Sequence, residues 1–131
     1  MYGVSLFVVT AFVEMGTGVL LLFIPAVPLA LLLGVREAAP EALLVARVAG
    51  VAVLAIGAAS WLARNGEQSA ADLGLLVGIL IYDIGAAALL AFEGVGLGMA
   101  GLGLWPAVVI HAALAVWCLL NLRSRWPGGG K

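Results

Sequence analysis

A chain of 131 residues, 65% hydrophobic and 10% charged, cannot cover a water-exposed surface, which carries roughly 25% charged residues. The length allows one domain, and a net charge of −1 leaves no basic groove for nucleic acid. What remains is a protein whose surface is apolar, and a bilayer is the solvent that suits it.

The first ten residues, MYGVSLFVVT, hold no basic side chain. They therefore lack the charged start of a secretory signal, and the first apolar run reads as a retained span over residues 4–24. Pro25 and Pro28 follow. The stretch 26–34 (AVPLALLLG) stays apolar but is too short to cross, so it is expected as a kinked extension of the first helix or an interfacial segment. Further apolar runs cover residues 41–63, 73–92 and 104–122. A helix needs about 20 residues to cross the hydrocarbon core, and none of the four runs alternates as a barrel strand would. The expectation is an all-α, integral membrane four-helix bundle, up-down-up-down, filling residues 1–122. The tail 123–131 is polar and glycine-rich and is not expected to fold alone.

Orientation follows from Lys and Arg in the short connections. One side would hold Arg64, Arg123, Arg125 and Lys131; the other holds Arg36. Both termini are therefore expected in the cytoplasm of a bacterial-type inner membrane. Tyr2, Trp61 and Trp126 would sit at the inner interface, and Phe92 and Trp105 at the outer one.

Each span carries one acidic or basic side chain in its interior: Glu14, Arg47, Asp83 and His111. Charge in hydrocarbon is costly and usually paired or functional. At 1.5 Å per residue the four lie between about 9 and 15 Å below the outer boundary, so one inward-facing cluster is expected. Arg47 keeps its proton and needs an acceptor or water. Glu14 and Asp83 can each take up a proton, and His111 can be neutral or charged. Such a cluster is the kernel of a proton-linked or cation-binding site. The alternatives are structural pairing between helices and snorkelling of Arg47 to headgroups. Thr10 and Thr17 share a face with Glu14 and join the site candidates; Gly18, on the same face, lets another helix approach.

Gly50 and Gly57 are a heptad apart; Gly74 and Gly78 form a GxxxG, with Gly85 a heptad after Gly78. All five are expected at helix contacts, within one chain or between two. The two halves are weakly alike. Glu14-Met-Gly opens a run of small residues closing on Leu-Leu-Leu-Phe23, and Asp83-Ile-Gly opens one closing on Leu-Leu-Ala-Phe92. The following span then carries a base, Arg47 or His111. Gly96-Leu-Gly98-Met-Ala-Gly101 matches GxGxxG but lies between two spans, not after a strand, and so reads as a loop. His111 and Cys118 share a face, yet one His and one Cys are too few for a closed metal site. Cys118 reads as a small buried hydrophobe. No metal, cofactor or catalytic residue is expected, and no nucleophile stands with a base, so an enzyme is not expected.

Around residues 10–20 (TAFVEMGTGVL), with an essential-looking carboxylate midway in a first helix, the chain resembles the small multidrug resistance family. Its closing Asn121-Leu-Arg-Ser-Arg is superficially similar too. That resemblance implies a four-helix dimer in which Glu14 binds both protons and substrate. Arg47, Asp83 and His111 have no counterpart in the family's pattern. As a whole the chain looks like small four-helix proteins of bacterial inner membranes. The expected function is a proton-linked carrier or a binder of a small lipophilic ligand. The alternative is a non-catalytic accessory or assembly subunit of a larger membrane complex. The expected partners are the lipid bilayer and either a second copy of the chain or that larger complex.

Overall fold

The computed structural model describes residues 2–65 and 69–125, with side chains from residue 5 onward. Among the described residues five helices follow one another: α1 (Tyr2–Phe23), α2 (Ala26–Leu33), α3 (Pro40–Ala63), α4 (Ala70–Gly96) and α5 (Leu104–Arg125). All but α2 are long and apolar enough to cross a bilayer, which fits a membrane helical bundle. Their outward faces carry Phe12, Leu44, Leu62, Ile81, Leu89 and Val109, as expected where the surrounding solvent is lipid rather than water. The expected positions of Tyr2, Trp126 and Lys131 at an interface concern side chains outside the described residues.

Local chemistry sets the helix ends. Pro25 has no N–H to continue α1, and the chain turns there, with Val27 N donating to Ile24 O at 3.0 Å. The 26–34 stretch is therefore a separate short helix, closed by Gly34 in the left-handed conformation at φ 73°. Pro40 occupies the first turn of α3, where its missing donor costs nothing. Ser69 and Asp72 form a reciprocal capping box that starts α4 three residues before the expected residue 73. At the far end α5 runs on through Arg125, so the first three residues of the expected tail are helical.

The bundle is built from two close pairs, α1 with α3 and α4 with α5. In the first pair the backbones touch. A Cβ at Gly18 would lie 2.7 Å from Leu54 N, one at Gly50 2.7 Å from Leu22 N, and one at Gly57 2.8 Å from Met15 N. Gly50 and Gly57 thus serve the helix contact expected of them, and Gly18 completes it from α1. Gly74, Gly78 and Gly85 make no such contact within the described part of the chain: beyond their own helix backbone, no described atom lies within 4 Å of the Cβ any of them would carry. At 100° per residue they sit roughly opposite Leu76, Ile79 and Asp83, the buried stripe of α4. Their shared face is real, but it looks away from the bundle.

An apolar core of Leu6, Phe7, Leu76, Ile79, Leu114 and Cys118 joins the two pairs toward one end. There Trp61 takes the edge of Phe12, with ring centroids 5.7 Å apart, and Arg64 stacks on Trp61. At the other end α2 lies against α1, α4 and α5. The GxGxxG stretch begins at Gly96, the last residue of α4; the loop that follows it docks on α2. Gly103 N donates to Leu31 O at 2.8 Å. Gly101 presses so closely on the Leu31–Leu32 backbone that a Cβ there has no room.

Candidate functional site

Between the apolar core and the α2 end, α1, α4 and α5 each bring one polar side chain to the same place. On α1 the inward stripe is Leu6, Thr10, Glu14 and Thr17, while Ala11 and Gly18 turn toward α3. On α4 the stripe is Leu76, Ile79 and Asp83, and on α5 it is His111, Leu114, Cys118 and Asn121. These spacings of three and four residues hold each set on one helix face. Glu14 is 1% exposed and Asp83 0%. The Asp83 Oδ1 and His111 Nδ1 atoms are 2.8 Å apart, and the imidazole is only 13% exposed. One ligating atom from each of Glu14, Asp83 and His111 can be chosen so that all three lie within 4.8 Å of one another.

Three of the four expected ionisable residues therefore converge. Arg47 does not. It stands exposed on α3, roughly 100° around the helix from the buried stripe of Ala46, Gly50, Val53, Gly57 and Ser60. The stripe faces α1, so Arg47 points outward, where its long stem can reach the polar boundary. The expected four-residue cluster is a cluster of two acids and an imidazole.

Hydrogen bonding inside the cluster is incomplete. Asp83 Oδ1 is served by His111, but Asp83 Oδ2, both Glu14 oxygens and the Thr10 hydroxyl have no partner among the described residues. Elsewhere the buried polar groups close on their own helices. Ser60 Oγ donates to Ile56 O at 2.9 Å, and Asn121 Nδ2 donates to Trp117 O at 2.9 Å. Unpartnered buried polar atoms are rare in native proteins and each calls for an explanation. Four in one place set this cluster apart from ordinary packing.

Tyr82 is the residue that sequence reasoning missed. Its ring meets His111 edge-on with centroids 5.5 Å apart, and its phenol lies beside Glu14 without satisfying either Glu14 oxygen. The available signal was a phenol next to Asp83 in the middle of a span. With Nδ1 facing Asp83, the neutral imidazole carries its proton there and its lone pair on Nε2.

Above this cluster opens a chamber of about 500 Å³. Its walls are apolar side chains of all four neighbouring helices, among them Leu20 from α1, Leu31 and Leu32 from α2, Leu89 from α4 and Ile110 from α5. Thr17, Tyr82 and His111 are its polar lining. Glu14 and Asp83 do not line it; they lie behind Tyr82 and His111. The chamber falls within the 300–1,000 Å³ typical of small-molecule sites, and an apolar wall with few polar groups is their usual make-up.

The chain matches no family model, no curated protein and no solved structure. The site's chemistry therefore rests on its own residues.

Proposed function

We propose that this protein is an integral membrane protein, both termini in the cytoplasm, that binds a small lipophilic ligand in the chamber between α1, α2, α4 and α5. The observation that carries this reading is the chamber itself: apolar walls of about 500 Å³ with Thr17, Tyr82 and His111 gathered among them. Apolar walls take a lipophilic body, and three polar side chains at one place orient it. The carboxylates behind them give the site an excess of hydrogen-bond acceptors, so a ligand that donates or carries positive charge suits it. Carriage of that ligand in exchange for protons at Glu14 and Asp83 is the finer form of the same reading. The local likeness to the small multidrug resistance family around Glu14 supports it.

The test fills the chamber without touching the carboxylates. Protein purified from native membranes is extracted, and its bound small molecules are read by mass spectrometry. Wild type is expected to carry a compound that Ala86→Trp and Ala107→Trp lack, with both variants eluting as folded protein. Identical extracts from wild type and filled variants would refute the reading.

A second reading, an accessory subunit of a larger assembly or a self-associating chain, is favoured by one observation. Among the described residues nothing outside α4 packs on its Gly74, Gly78 and Gly85, and small residues are what close helix contacts in membranes use. Purification as a lone monomer that still carries its ligand would count against it.

A further inference from the structure

Glu14 and Asp83 pose a charge problem that the chamber does not solve. Both are essentially out of contact with solvent. Three of their four oxygens accept no hydrogen bond from any described residue. The His111 Nδ1–H is already committed to Asp83 Oδ1, and the Tyr82 phenol beside Glu14 satisfies neither of its oxygens. Leaving a buried acceptor unmatched costs about 1–3 kcal/mol, and more when it is charged. Something positive belongs between these atoms.

We infer that Glu14, Asp83 and His111 bind one divalent first-row metal ion of the zinc or ferrous type. Geometry comes first. One oxygen of each acid and one imidazole nitrogen lie within 4.8 Å of one another. Ligands at about 2.0–2.2 Å from a tetrahedral ion stand roughly 3.3–3.6 Å apart, so side-chain shifts of up to about 1.5 Å complete the set. Charge comes second. Two carboxylates and a neutral imidazole cancel a divalent ion, which leaves the site neutral in a low-dielectric interior; a monovalent ion would leave it negative. Donor type comes third. Two carboxylates with an imidazole suit zinc, iron, manganese or cobalt, whereas calcium and magnesium prefer an all-oxygen set with more ligands.

The surroundings are those of a metal centre. Asp83 Oδ1 holds the imidazole through Nδ1, which leaves Nε2 of His111 and the unpartnered Asp83 Oδ2 free to ligate. Thr10, fully buried and unpartnered, sits one turn before Glu14 on the same face and can hold that carboxylate in place. Three protein ligands leave a fourth position open. The sequence spacing of one acid per half and one late histidine follows no metal motif, so only the fold brings the three together. The inference does not depend on what fills the chamber, but it replaces proton exchange at Glu14 and Asp83, because a bound divalent ion keeps both carboxylates ionised.

Full-length protein in detergent, stripped with a chelator and dialysed against micromolar Zn²⁺ or Co²⁺, decides it. Wild type is expected to take up one ion per chain, and Co²⁺ is expected to give the visible bands of a low-symmetry site. Glu14→Gln, Asp83→Asn and His111→Phe should each weaken binding at least about 100-fold, beyond the 10–100-fold of an outer-ligand change. Glu41→Gln, at the exposed start of α3, should bind as wild type. Failure of wild type to bind any ion would overturn the inference whether or not the variants fold. So would unchanged stoichiometry in His111→Phe. Ala86→Trp separates the two proposals: it should bind metal normally while losing the chamber's ligand. Ligand without metal would sink this inference alone, and metal without ligand the chamber alone.

Discussion

Replacing Gly50 and Gly78 by alanine should have very different effects, although both are mid-helix glycines in membrane-length helices. A methyl at Gly50 would lie 2.7 Å from Leu22 N, 2.9 Å from Gly18 O and 2.9 Å from Leu21 Cβ. Two of those atoms are backbone and cannot rotate away. Relief requires α1 and α3 to separate by several tenths of an ångström along a contact that also includes Gly18 and Gly57. Overpacking of this kind costs about 1–3 kcal/mol. Alanine's advantage over glycine in a helix, about 1 kcal/mol in water, offsets little here, because membrane helices persist in the unfolded reference state. The net loss expected for Gly50→Ala is about 1–2 kcal/mol, a factor of roughly 5–30 in the folded ratio. At Gly78 no atom lies within 4 Å of the added methyl, so Gly78→Ala should stay within about 0.5 kcal/mol of wild type.

The assay is reversible unfolding in mixed micelles of mild and denaturing detergent, followed by helix and tryptophan signals at high dilution. If Gly50→Ala unfolds with the wild type, the close approach of α1 and α3 is wrong. If Gly78→Ala loses more than Gly50→Ala, the orientation of α4 is wrong, and with it the inward position of Asp83.

Three further outcomes follow from the same packing. Gly101→Val should lift the α4–α5 loop off α2, because a side chain there meets the Leu31–Leu32 backbone. Amide exchange at Gly103, which donates to Leu31 O, should quicken at least about 5-fold, an opening eased by roughly 1 kcal/mol; unchanged exchange would refute the docking. In chelator-treated protein the ¹⁵N spectrum of His111 should show a protonated Nδ1 and a bare Nε2. Asp83→Asn should keep that tautomer and Asp83→Leu should lose it, with about 1–3 kcal/mol of stability gone with the acceptor. Arg47→Gln should unfold within about 0.5 kcal/mol of wild type, since the guanidinium stands outside the bundle; a larger loss would place Arg47 in a contact that the fold does not provide.

Much of the fold was legible because each span is long, apolar and uncharged over most of its length, a signal that survives ignorance of every contact. The boundaries were less so. The start of α4 lay hidden in Ser69 and Asp72, a capping box in a polar stretch before the apolar run. The continuation of α5 past residue 122 places Arg123 and Arg125 in a last turn, where basic groups favour the helix dipole. The fate of residues 26–34 turned on Pro25, which permits either a kink or a break, and on a tertiary contact, Gly103 with Leu31, that no local pattern announces.

For the site, counting along the helices was informative and helical angle was left unused. Counting residues from the span ends put Glu14, Asp83, His111 and Arg47 near one level, and three of them do meet. Level alone cannot say which way a side chain points, but helical phase can, and the sequence held enough to apply it. If Gly50 and Gly57 face a neighbouring helix, Arg47 lies off the stripe they define. If Asp83 faces inward, then Gly78, five residues before it, and Gly85, two after it, lie roughly 140–160° away. The two readings of α4 are therefore compatible only when its glycines face lipid or another chain. The likeness between the halves breaks at the same point: each acid finds the centre, but only the second half's base follows. That asymmetry leaves the cluster with two carboxylates and no permanent cation, a charge that one divalent ion matches.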